Sequence, residues 1–145
     1  MLERLAVPIE VTSELARPVA DNIGGAKPYV TQCDVQFRYG QFELVVPADF
    51  EFDGASVPRW LWWINGLASS DDDTKLAALA HDYICEHPEV LPRVIGDAIF
   101  ATLLGPILFN GRPLPGVGPK RRAAMYIAVR CWSVVSGADP LLKMN

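Results

Sequence analysis

A chain of 145 residues, 50% hydrophobic and only 21% charged, can bury a continuous core, which argues against an intrinsically disordered protein. Its net charge of −4, from 17 acidic against 13 basic residues, argues against broad binding to a phosphate backbone. No nucleic-acid partner is therefore expected, although a local basic patch remains open.

The three cysteines, Cys33, Cys85 and Cys131, are widely spaced. That fits neither the paired spacing of a zinc site nor a full disulfide framework, and it points to synthesis in a reducing cytoplasm. Met1 to Leu5 has no basic region leading into an apolar run, so no signal peptide is expected. The apolar runs from Ile95 to Phe109 and from Ala123 to Val135 are interrupted by Asp97, Gly105-Pro106 and Arg130. Neither reaches the roughly 18–20 residues of a membrane span, so the expectation is a soluble protein.

In chain order, the first half is strand-like. Val7 to Val11 suggests a short strand, with Pro8 favouring a sheet edge. Pro18, Gly24-Gly25 and Pro28 then mark a loop. Val35, Phe37 and Tyr39 alternate with polar residues, as do Phe42, Leu44 and Val46 with Gln41 and Glu43. Tyr39-Gly40 lies between the two runs, so a hairpin is predicted near 35–46.

The second half reads as helical. A short helix is predicted from Val57 to Ile64, opening at Pro58. Ser69 to Asp73 supplies cap candidates and negative charge for a helix from about Thr74 to Glu86. Pro92 begins another, in which Val94, Ile95, Ala98 and Ile99 recur at helical spacing and which Gly105-Pro106 should bend or end. A Gly/Pro-rich loop is expected from Asn110 to Pro119. The last helix runs from about Pro119 to Ser136, with Gly137 as its stop. The fold class is therefore α+β: N-terminal antiparallel strands followed by a C-terminal bundle of three to four helices. One domain is expected over 1–145, with strands and loops in 1–52 and helices in 57–137.

Two blocks concentrate the polar chemistry. His81-Asp82 closes an apolar helical stretch, where an imidazole suits general-base chemistry. Successive helical residues point about 100° apart, so the two side chains would flank one site rather than share one direction. The alternative is a packed, hydrogen-bonded histidine beside a solvated aspartate. In the Asp53-Gly54-Ala55-Ser56 turn, Asp53 and Ser56 offer an acceptor and a hydroxyl, and Gly54 lets the backbone approach a ligand. Equally, Asp53 makes an Asx turn and Ser56 caps the helix after it. No Gly-x-Ser-x-Gly elbow surrounds Ser56, which weighs against a serine nucleophile.

Asp97 lies inside an apolar helix, where a charge needs a partner. It either pairs with Arg93 one turn earlier or points inward to orient His81 or a metal. With only His81 and His87 present, any divalent metal would need carboxylates, with Asp53, His81 and Asp97 as its ligands; nothing in the sequence requires one. Trp60, Trp62 and Trp63 cannot all face one core; either their role is purely structural, or one of them lines a groove for sugar or lipid or sits in a subunit interface. Lys120-Arg121-Arg122 opens the last helix as a solvated face or a phosphate contact.

The run Asp53 to Arg59 with Trp62 or Trp63, then Ala78 to Tyr83, then Asp97, resembles the pattern of domain of unknown function family 1353, found in tailed phages, prophages and bacteria. The resemblance spans about residues 35 to 105. Cys85 departs from it, since an aromatic residue is expected there. The resemblance implies a phage or prophage setting, with virion proteins or further copies of the chain as partners. Ala78 to Asp82 is also similar to the His-Asp step of HD-type phosphohydrolases, but no histidine precedes His81. His81-Asp82-Tyr83 looks like the helix of secreted phospholipases, without their disulfides or calcium loop.

Two functions follow as expectations. One is a hydrolase acting on cell-envelope material, peptidoglycan or lipid, with His81, Asp82 and Asp97 as the catalytic group. Asp53, Ser56, Arg59, Tyr83 and Trp62 would then bind substrate. The other is a non-catalytic virion component of the tail, baseplate or neck, in which the same residues form a fold-locking network. Either would be made in the host cytoplasm, and the second would be built into the particle.

Overall fold

The β4–β5 hairpin shows the link from sequence to fold most directly. In a computed structural model that describes residues 9–52, 72–114, 116 and 118–135, β4 (Val35–Tyr39) pairs antiparallel with β5 (Phe42–Val46). Val35, Phe37, Leu44 and Val46 turn inward, as the period of two requires. Gly40 takes φ +61°, the left-handed value that a tight hairpin turn asks of its first central residue.

The remaining strands are β1 (Ile9–Ser13), β2 (Val19–Asp21), β3 (Tyr29–Thr31), β6 (Glu51–Phe52), β7 (Ile107–Phe109) and β8 (Arg112–Leu114). They form a five-stranded sheet in the order β5-β4-β1-β7-β8 and a three-stranded sheet in the order β2-β3-β6. All pairings are antiparallel except β1 with β7, which run parallel from Ile9 opposite Ile107. The helices are α1 (Asp72–Glu86), α2 (Arg93–Leu103) and α3 (Pro119–Val135). The protein is an α+β fold, with N-terminal strands in antiparallel sheets followed, among the described residues, by three helices.

Three local expectations need correction. β1 lies at the centre of its sheet, not at an edge; Pro8 itself lies outside the described residues. The segment from Asn110 is not all loop, because Asn110-Gly111 closes the β7–β8 hairpin with φ of 50° and 81°. Positive φ at both central residues is the signature of an Asn-Gly turn. The loop marked by Pro18, Gly24-Gly25 and Pro28 is interrupted by β2, and only its remainder is loop, connecting a further hairpin, β2–β3. The helix expected at 57–64 lies outside the described residues.

The core fills the space between the larger sheet and the helices. Val11, Val35, Phe37 and Val46 from the sheet meet Leu79 and Ile84 of α1, Phe100 and Leu103 of α2, and Met125 and Val129 of α3. From Leu76 to Asp82 every residue of α1 is buried, as befits a central helix. Helix α1 packs on α2, and α2 on α3. Among the described residues no helix is long and apolar enough to cross a membrane.

Gly96 sets how closely α1 and α2 approach. A Cβ there would stand 2.8 Å from Cγ2 of the buried Ile84, a stiff β-branched side chain with no room to move. Gly96→Ala is expected to lower stability by about 1–3 kcal/mol, since overpacking exceeds the helix-propensity gain of about 1 kcal/mol. Urea denaturation checks this; an equal or higher midpoint would contradict it.

Candidate functional site

Helix α1 places His81 on its buried side, with 1% of the residue exposed. Opposite it, α2 turns Asp97 inward at 0% exposure. His81 Nε2 donates to Asp97 Oδ1 at 2.5 Å, while Arg130 Nη1 of α3 donates to Asp97 Oδ2 at 2.7 Å. One carboxylate thus ties together the three helices through charged hydrogen bonds, the stronger kind of pairing. Phe100 packs against the imidazole with its ring centre 5.2 Å away.

The other ring nitrogen faces Asp82, whose Oδ1 lies 3.8 Å from His81 Nδ1. Neighbours on a helix diverge, and these two do flank one position without meeting at hydrogen-bond distance. Cys85, one turn beyond His81, sets its Sγ 3.8 Å from Nε2 and 3.9 Å from Nδ1. A thiol thus lies against the ring.

Burial alone disfavours the imidazolium, but the carboxylates of Asp82 and Asp97 outweigh it and raise the His81 pKa well above 6.5. Both carboxylates thus favour the ring in its protonated form. An imidazolium has no lone pair with which to take a proton or bind a metal. The bond between Nε2 and Oδ1 joins two of the three residues expected to hold a metal; the third, Asp53, lies outside the described residues. Among the described residues no three His, Cys, Asp or Glu side chains are grouped to hold one.

Of the other residues singled out, Tyr83 is half-buried and turned elsewhere. Its ring meets Phe50 edge-on at 5.4 Å and stacks on His87 at 4.1 Å. His87 Nδ1 donates to the Tyr83 carbonyl at 2.8 Å. Asp53, Ser56, Arg59 and Trp62 lie outside the described residues. Sequence reasoning missed Arg130. Its signal was a lone cation inside the apolar run of the last helix, treated there only as an interruption.

The architecture is that of an α+β protein whose helices are joined through a buried His–Asp–Arg chain. Residues 30–129 match the model of the family described as protein of unknown function DUF1353, well over half of the 145 residues, and the chain belongs to that family. The matched span contains His81, Asp82 and Asp97 and ends one residue before Arg130. No curated protein and no solved structure matches the chain.

Proposed function

We propose that this protein is a non-catalytic structural component of a phage or prophage particle, a tail, baseplate or neck protein, whose His–Asp–Arg chain locks the packing of its helices. One observation carries the reading: His81 is sealed at 1% exposure with Nε2 2.5 Å from Asp97. A ring held so, between carboxylates that favour its protonated form, suits a structural cation better than a base. Buried charged networks of this kind specify how elements dock. The phage setting rests on the motif resemblance of the Asp53–Arg59 and Ala78–Tyr83 blocks.

Ile127 and Val134 on α3 are 59% and 48% exposed and lie seven residues apart, hence on one face. Such a face suits contact with virion proteins or with another copy of the chain. The protein would be made in the host cytoplasm and incorporated during assembly. Quantitative mass spectrometry of purified particles is expected to find it at a fixed copy number, and its absence from clean particles would overturn the proposal.

A second reading, hydrolysis of peptidoglycan or lipid, is favoured by the His81 geometry in one respect. Anchoring Nε2 on Asp97 leaves Nδ1 turned toward a second carboxylate, as an oriented base would be. On that reading His81 works only after losing its proton, above its raised pKa.

A further inference from the structure

A cavity of about 580 Å³ opens beside β2, the start of α1 and the β7–β8 hairpin, within the usual size of a small-molecule site. Among the described residues, Arg17, Lys75 and Arg112 line it against a single carboxylate, Asp21. That balance inverts the net charge of −4 carried by the chain. Among the described residues, none of the three cations makes an ion pair. Lys75 rests over the Tyr29 ring at 5.3 Å, which orients it without neutralising it. Leu76 and Phe109 give the cavity an apolar wall, and apolar walls strengthen the field of nearby charges.

We propose that this cavity binds a phosphate group, held by Arg17, Lys75 and Arg112. Two guanidinium forks and an ammonium suit the several oxygens of a phosphate better than one carboxylate. The apolar wall takes the organic part of the ligand, either a soluble phosphate ester or a lipid headgroup with its glycerol. None of the lining residues belongs to the His81 chain, so the site stands apart from the structural role above.

Titration calorimetry of the full chain with inorganic pyrophosphate at low salt tests the site. The expected result is saturable binding that added salt weakens. Arg17→Ala and Arg112→Ala, both at exposed positions, should each weaken it about tenfold or more, the effect of losing a charged hydrogen bond. Arg38→Ala, on β4 away from the cavity, should leave it unchanged. Circular dichroism confirms that the variants fold. Sedimentation with phosphatidic acid vesicles, lost in the same variants, would assign the phosphate to a lipid; pyrophosphate binding without sedimentation would assign it to a soluble ester. Absence of saturable binding, or equal binding by all variants, would overturn the proposal.

Discussion

Asp97→Ala is expected to destabilise the protein by about 3–5 kcal/mol, the cost of leaving a buried charge without its partner. For a chain of this size that is a fall in Tm on the order of 10 °C. The effect is large because both oxygens of Asp97 are engaged, Oδ1 by His81 and Oδ2 by Arg130. Arg130 keeps 22% of its side chain exposed and can turn toward water, so His81 bears most of the loss. The buried ring would lose one of the two carboxylates that favour its proton, leaving Asp82 to offset burial. Asp97→Asn retains an acceptor but no charge, and should fall between alanine and the parent. Thermal and urea unfolding measure the difference; a change below about 1 kcal/mol would mean that the carboxylate contributes no more than an exposed pair.

The second large effect is on pH dependence. In the unfolded chain His81 titrates near 6.5, whereas in the folded protein its pKa is raised well above that value. Below about pH 6.5 both states hold the proton, and the full contribution of the pairing is present. As pH rises between the two pKa values, the unfolded chain holds fewer protons than the folded one, so stability falls. Above the folded pKa the contribution is gone. The urea midpoint is therefore expected to decline from near neutrality into the alkaline range. In His81→Gln the decline should flatten, from a lower starting stability. A parent protein whose stability rises over that range would contradict the assigned direction.

How much of this could be read from the sequence depended on how local the signal was. The β4–β5 hairpin announces itself because alternation and turn lie within twelve consecutive residues, from Val35 to Val46. Helices α1, α2 and α3 carry their own punctuation, in the aspartates before Lys75, in Pro92 and in Pro119. The β2–β3 and β7–β8 hairpins use strands of three residues, too short to show a period. Asn110-Gly111 alone marked the latter pair. The central place of β1 depends on β7, nearly a hundred residues away, and such pairing leaves no trace near Ile9.

The candidate site divides in the same way. Asp97 stood out as a carboxylate in an apolar helix, which desolvation makes conspicuous. Its partners did not, because choosing among Arg93, His81 and Arg130 requires knowing how the three helices pack. Adjacency of His81 and Asp82 suggested a shared site, yet the shorter contact of His81 is with Asp97, sixteen residues on.

The most direct test of the account is an NMR titration of the His81 ring nitrogens in the intact chain. With only two histidines, His87→Gln completes the assignment. The account predicts that His81 remains an imidazolium through neutral pH and titrates well above 6.5, protected at Nε2 by Asp97. A neutral ring at pH 7, with a free lone pair on Nδ1, would contradict the structural reading and return His81 to the role of a base.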